Sequence, residues 1–396
     1  MTPPRLDVDF TDPALIADPS PVYEEIRRAG RVVWNGAANL WMIPGYDDCA
    51  EVMTDTKGAQ FGVIGARYPE LTFWFDAPNM IIADPPDHRR LRHGLAKYFT
   101  PAAIERTWTP RVREVVEELL VPLAQGRDDV DLISDFTKIP VVIVAEMLGV
   151  PEERHEDFRH WSNAVVSNLR WGREDPEGRR LMDEAVVELN AYLTEEIERH
   201  RRDQPDDVLT VIVNMPDWSE AEMRSGAVNL LLAGYDTTAK LMGVCLDVLE
   251  RHPDQRRLLV ENSALIPNAI EETLRWAGVA QLMPRVVKKD IVFAGTELAA
   301  DDVVFVLLAA GNRDPARWSE PGRFDVRRPY QQNLGFGIGA HICIGAPLAR
   351  LETRIALETL LRLAPKYRLR DVDYGDAFFA RGPESGVIEV GVTTAV

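Results

Sequence analysis

The chain has 396 residues, 46% of them hydrophobic and 27% charged, with a formal net charge of −18. That composition suits a globular protein with a large core, and the acidic balance argues against non-specific binding to nucleic acid or anionic membranes. Cys49, Cys245 and Cys343 are too few and too far apart for a disulfide framework and fit a reducing cytoplasm. The amino terminus lacks a basic-then-apolar leader, and no apolar run approaches the roughly 20 residues that span a bilayer.

In chain order, Pro19 to Ala29 predicts a first amphipathic helix, and Arg31–Trp34 and Leu40–Ile43 predict two short strands joined at Asn35-Gly36. Tyr46 to Met53 is helical in pattern. Phe61 to Met80 is rich in aromatic and turn residues; Phe61, Phe73, Trp74 and Phe75 suit either a loop packed on the core or a ligand-facing wall. Asp84-Pro85-Pro86-Asp87 predicts a helix start, with Asp84 as N-cap and Pro85 in the first helical position. On that helix His88 and Arg92 stand four residues apart and share a face. From Pro101 to His200 the pattern is helix after helix, and the break at Gly172 to Gly178 suits the tip of a lid. No repeat, heptad or linker divides the chain, so residues 1–396 are expected to form a single domain.

Ser219 to Arg251 has helical periodicity for about 48 Å if unbroken. Its middle reads Leu231-Leu232-Ala233-Gly234-Tyr235-Asp236-Thr237-Thr238. A mid-helix glycine costs about 1 kcal/mol against alanine, and Thr237 is placed to bond the Ala233 carbonyl four residues back. Close helix packing accounts for Gly234 but not for an acid and a hydroxyl beside it, a pair that suits proton delivery to oxygen. Pro267 to Trp276 predicts another helix, with Glu272 and Arg275 at the spacing of an ordinary surface ion pair. Met283-Pro284-Arg285 precedes a predicted strand pair, Val286–Val287 and Asp290–Phe293.

Phe336-Gly337-Ile338-Gly339-Ala340-His341-Ile342-Cys343-Ile344-Gly345 leads into a helix that starts near Ala346. A cysteine at a helix N-terminus is favoured as the thiolate, the form that ligates a metal. Gly337, Gly339 and Gly345 let the backbone approach something bulky, and His341 adds a donor two residues from Cys343. A zinc site would want about four ligands, and a buried structural cysteine is the plain alternative. The combination suits a flat cofactor held through one thiolate.

The whole run resembles the haem-thiolate signature of the cytochrome P450 family, in which the cysteine is the axial ligand of haem iron. The middle of the long helix is similar to the family's A/G-G-x-D/E-T motif, although Tyr235 stands where the family often has an aliphatic residue or histidine. The resemblance implies that Asp236 relays protons and that Thr237 holds the oxygen species and its water. Glu272 and Arg275 match the family's E-x-x-R, with Arg328 as the third member of a structural trio. By the same match, His88, Arg92, Arg285 and His341 hold two propionates, and Phe336, Gly337, Gly339, Cys343 and Gly345 form the cradle. Asn229, Leu232, Ala233, Gln281 and Met283 correspond to pocket positions, with the Phe61–Phe75 stretch above, and Phe378 to Pro383 resembles a turn that reaches back into the pocket.

The fold so implied is mainly α: a triangular helical domain with a smaller β-rich part. Its haem b (iron protoporphyrin IX) would lie between the long central helix and the Cys343 loop. The function implied is a monooxygenase that inserts one atom of O2 into a medium-sized, mostly apolar small molecule, by hydroxylation or oxidative dealkylation. Asn229 or Gln281 would meet a polar handle on it. Electrons would come from a separate ferredoxin and its NAD(P)H-dependent reductase, since the chain ends with no flavin or iron–sulfur module. Docking is expected on the cysteine side. A peroxide-driven peroxygenase typically replaces the acid–alcohol pair. The other alternative is a non-catalytic haem sensor or recruitment domain, and recruitment domains of this fold often lose the cysteine. Both features are intact here. Eukaryotic relatives carry a membrane anchor and this chain shows none, so neither a membrane nor a nucleic acid is expected as partner.

Overall fold

The computed structural model describes residues 3–55, 59–67, 77–124, 129–166 and 175–390. Phe73, Trp74 and Phe75, and residues 172–174 of the expected lid tip, lie outside them. The long helix runs Glu220–Arg251. Its start is a reciprocal cap: Glu222 N–H donates to Ser219 Oγ (3.3 Å), and Ser219 N–H donates to the Glu222 carboxylate (2.8 Å). The helix is buried on nearly every side, so packing rather than amphipathicity holds it. Helix Lys138–Met147 lies along it, and helix Ala346–Leu363 packs on both it and helix Pro101–Ala124. A Cβ on Gly234 would come within 3.0 Å of Val144, so this glycine lets helix Lys138–Met147 close in. Val144 and Leu231 are both buried there, and each such side chain contributes about 1.5–3 kcal/mol. Thr237 does bond back to the Ala233 carbonyl, at 2.8 Å.

Ten strands form three sheets among the described residues. In chain order they are β1 (Val33–Asn35), β2 (Leu40–Ile43), β3 (Phe61–Val63), β4 (Asp129–Asp131), β5 (Met283–Val287), β6 (Ile291–Phe293), β7 (Thr296–Leu298), β8 (Val303–Val306), β9 (Arg368–Asp373) and β10 (Ser385–Glu389). The largest sheet has the order β1-β2-β8-β5-β3, with β2 and β8 parallel and the other pairs antiparallel. It sets Arg285 between Val63 and Val304. The strand pair expected after Arg285 is not one: β5 pairs with β3 and β8, whereas β6 turns back on β7. Strand β4, which joins β10 and β9, had no alternation to betray it in three residues.

The helix expected from Asp84 begins instead at Asp87 and runs to Ala96. Asp84 does not cap it because its side chain is committed elsewhere: Oδ1 accepts from Val63 N–H (3.1 Å), and Oδ2 lies 2.7 Å from Lys288 Nζ. His88 and Arg92 nevertheless share the expected face.

Candidate active site at the cysteine loop

The loop before helix Ala346–Leu363 closes on itself, with Gly337 N–H donating to the Leu334 carbonyl and Cys343 N–H to that of Phe336, both at 2.9 Å. Gly339, at φ +76°, tolerates no side chain, since a Cβ would sit 2.3 Å from the Met53 carbonyl oxygen. Helix Tyr46–Met53 is therefore the floor on which the loop rests. Arg350, paired with Glu271 at 2.6 Å, lays its guanidinium 4.5 Å from the Phe336 ring and holds the loop from the other side.

Cys343 is reachable by solvent, yet it lies deep among protein atoms. Burial pushes its thiol up, against the Gly345 and Ala346 N–H groups and the charges of Arg92 and Arg350, which pull it down. The helix N-terminus alone therefore does not yield the expected thiolate; a coordinated cation would complete the stabilisation.

Around the loop the structure gathers His88, Arg92, Arg285 and His341. Arg92 Nη2 donates to the Ile342 carbonyl at 2.6 Å, and the His88 and His341 rings lie 4.0 Å apart. His88 Nε2 is buried without a hydrogen-bond partner. Arg285 is buried, and among the described residues its donors reach only the Pro284 carbonyl (2.8 Å) and Met53 Sδ (3.2 Å). The acid acting on it is Asp84, which is paired with Lys288. Burial lowers Arg285 to about 10, and burial together with the neighbouring His88, Arg285 and Arg92 holds His341 at about 3. Burial and Arg92 also lower His88. Burial lowers both arginines, and burial with cationic neighbours lowers both histidines, so the cluster is short of negative charge, and two carboxylates would reverse that.

The trio behaves oppositely. Arg275 forks onto Glu272 (2.7 and 2.8 Å), Arg328 Nε joins at 3.1 Å, and Asp325 N–H donates to the same carboxylate at 3.0 Å. The remaining guanidinium donors reach carbonyls of Asn312, Pro321, Arg323, Ser319 and Glu320. Glu272 and Arg275 are fully buried, not the surface pair their spacing alone suggested.

On the long helix Ala233 and Thr237 are exposed amid buried neighbours, one turn apart, so that stripe borders interior space. Asn229, one turn earlier on the same stripe, is buried and makes no side-chain hydrogen bond among the described residues. Leu232 is buried and Met283 half-buried. Two pocket expectations are corrected. Gln281 Oε1 accepts from the buried Tyr23 hydroxyl (2.6 Å) and its N–H donates to the Gly278 carbonyl at the end of helix Ile266–Ala277, which uses its amide on the scaffold. Phe61 packs edge-on against Phe293 at 5.4 Å in the core beneath the sheet.

Sequence reasoning missed Lys240, whose Nζ lies 3.0 Å from Asp236; the four-residue spacing of acid and lysine was the available signal. It also passed over Glu352, fully buried with Oε2 unpartnered and its carboxyl pushed well up by burial. Tyr235 finds its role in tying the long helix to helix His155–Val166 through Asn163.

The donor cluster wants a dianion and the cysteine a cation, and a metallomacrocycle bearing two carboxylates supplies both. The fold and this site together define the haem-thiolate class. A family profile described as cytochrome P450 matches residues 32–363. Mycinamicin IV hydroxylase/epoxidase of Micromonospora griseorubida is 34% identical over 354 residues, 87% of each chain. Cytochrome P450 monooxygenase PikC of Streptomyces venezuelae is 34% identical over 396 residues, covering 96% of this chain and 92% of its own. The crystal structure of P450BioI in complex with hexadec-9Z-enoic acid ligated acyl carrier protein matches with a TM-score of 0.88 at 30% identity, over 95% of this chain and 99% of that one. The chain belongs to the cytochrome P450 family. It is a haem monooxygenase that acts on organic substrates.

Proposed function

We propose that this enzyme holds haem b between the Ala233–Thr237 stripe and Cys343, and oxidises a medium-sized, mostly apolar molecule that carries one hydrogen-bonding group. The observation that carries the reading is the pairing of an accessible Cys343, reached by the Gly345 and Ala346 N–H groups, with a donor cluster that lacks its acids. Non-covalent haem suits a chain whose three cysteines are isolated, with no C-x-x-C-H attachment run. Cys343 would ligate the iron, and Arg92, Arg285, His88 and His341 would hold the two carboxylates.

When bound, the haem supplies reductive activation of O2 and insertion of one oxygen atom into the substrate. The chain supplies position and protons. Thr237 Oγ donates to the Ala233 carbonyl, which leaves its lone pairs to accept a hydrogen bond from water or a protonated oxygen. Asp236, the next residue, is the acid that passes protons to that hydroxyl. Asn229, buried and unbonded on the same stripe, is the group that reads the substrate's polar handle. Phe379 and Ile81 are accessible large apolar side chains suited to its hydrocarbon.

Electrons arrive from a separate ferredoxin and its NAD(P)H-dependent reductase. Their docking face is the cysteine side, where Ile342 is exposed and Arg350 and Arg354 offer cations held by Glu271 and Glu105. A core running from Met80 to Ile388 supports a single domain. Three unpaired cysteines support a cytoplasmic location; among the described residues no helix is long and apolar enough to cross a membrane.

The reduced, carbon-monoxide-bound difference spectrum tests the centre of this reading. A strongly red-shifted Soret band, lost in Cys343→Ala, is the expected result. A folded sample with the band of neutral ligation removes Cys343 from the iron. NAD(P)H oxidation coupled to product, with ferredoxin and reductase supplied, tests the electron route.

A further inference from the structure

The basic residue beside Asp236 is not placed like a surface lysine. Lys240 lies one turn further along the long helix, and its side chain is 5% exposed. A buried ammonium needs an acid, and this one is shared by two, Asp236 at 3.0 Å and Glu384 at 3.8 Å. Glu384 comes from the far end of the chain, immediately before β10, and its side chain is 29% exposed. Two glycines make the arrangement possible. A Cβ on Gly382 would lie 2.7 Å from Lys240 Cβ and 2.9 Å from Cγ, so that loop is laid directly on the lysine stem. A Cβ on Gly375, at φ +60°, would lie 2.1 Å from the Glu384 carboxylate. Of the other titratable neighbours, Tyr235 lies close enough to Asp236 to feel its charge but turns its hydroxyl to Asn163, and Arg381 bonds the Ile16 and Ala17 carbonyls.

In this arrangement the two members of the acid–alcohol pair are both engaged, Asp236 with Lys240 and Thr237 with the Ala233 carbonyl. For Asp236 to carry a proton it must leave the ammonium, and leaving would strand a buried charge. Glu384 offers the ammonium a second carboxylate, 3.8 Å away.

We propose that Lys240 is a positioning residue that alternates between Asp236 and Glu384, and so controls when Asp236 is released to deliver protons. This rests on the role given above to Asp236 and Thr237. Once released, the Asp236 carboxylate takes a proton from solvent, forming an O–H bond. It gives the proton, by way of a water held on the Thr237 lone pairs, to the oxygen atom of O2 that leaves as water, and returns as a carboxylate to Lys240. Electrons play no part in this cycle.

The test compares Glu384→Gln, Lys240→Met, Gly382→Ala and Asp236→Asn in the haem-loaded protein with its redox partners. Three quantities are read: peroxide released per NAD(P)H, the solvent deuterium isotope effect on turnover, and the infrared carboxylate band that Asp236→Asn deletes. A positioned proton donor contributes on the order of 100-fold, so loss of its release step should raise the peroxide fraction about tenfold in Glu384→Gln. The isotope effect should rise with it, while the carbon monoxide spectrum stays unchanged. The Asp236 band should move in Lys240→Met, and in Gly382→Ala, which displaces the lysine without removing its charge. Wild-type peroxide and isotope effect in Glu384→Gln, with both altered in Asp236→Asn, overturn the Lys240 proposal and leave the acid–alcohol pair standing. Wild-type values in Asp236→Asn itself overturn both. If Lys240→Met fails to fold, Glu384→Gln still decides the matter.

Discussion

The fold holds two arginine clusters, one around Glu272 and one around Arg285, and they differ in one component. Around Glu272 the cationic groups have their acid, and the guanidinium donors of Arg275 and Arg328 end on oxygen. Around Arg285 the donors of Arg285 and His88 are buried and those of Arg92 and His341 half-buried, but none has a carboxylate of its own among the described residues. The first cluster is complete in the chain and is scaffold. The second has no such acid among the described residues, and in the function proposed above the bound cofactor supplies it. The same residue types at similar depth thus do opposite work, and the inventory of acids tells them apart.

The contrast is broken most severely at Glu272. Glu272→Ala leaves two buried guanidinium groups unpaired and should cost about 3–5 kcal/mol, read as a shift in the denaturant midpoint. A loss below about 1 kcal/mol would mean that the trio is not a buried ion pair in solution. Arg285→Met should act with the opposite sign on the chain alone. Removing an unpaired buried charge is neutral or stabilising by about 1 kcal/mol. Haem retention should fall, because a charge-assisted hydrogen bond is worth about 1.5–3 kcal/mol, or roughly 10–100-fold in transfer to a scavenging apoprotein. Equal effects on both measurements would erase the distinction between scaffold and site.

Glu352 sharpens the comparison from a third direction, as a buried acid with no cation beside it among the described residues. Burial raises its carboxyl well above the usual range in the fold, whereas the unfolded chain ionises it normally. The unfolded state therefore gives up this proton first as pH rises, and stability falls between the unfolded and folded values. The slope of one such group is about 1.4 kcal/mol per pH unit. Glu352→Gln keeps the shape and removes that slope, so the variant should gain on wild type as pH rises above the ordinary carboxylate range. Parallel stability curves would show that Glu352 is ionised in the fold. The smallest effect is expected for Tyr235→Phe. Its lost bond to Asn163 should cost about 1 kcal/mol in unfolding and leave the coupling of NAD(P)H to product unchanged.

Much of this was legible in advance, and for identifiable reasons. The long helix announced itself through periodicity and the Ser219 cap, and the cysteine loop through residue types whose spacing is fixed by chemistry rather than packing. Glu272, Arg275 and Arg328 were found by their pattern, although spacing alone says nothing of their burial. What failed depended on tertiary company. Asp84 looks like a cap until β3 and Lys288 claim its carboxylate. Gln281 looks like a pocket amide until Tyr23 takes it. Lys240 is one lysine among many until residues near the other end of the chain, Gly382 and Glu384, lie down on it.

The cradle also sets a timetable for the protein's birth. Its parts are Met53 beneath Gly339, Arg92 bonded to Ile342 across 250 positions, and Arg285 in a sheet that joins early and late strands. At about 5–20 residues per second, the last of these leaves the ribosome roughly 10–50 seconds after Arg92 does. Until then the early half carries donors with nothing to close against. Haem is therefore captured by a nearly finished chain, and a translation product cut short before Gly345 has no means of sequestering it.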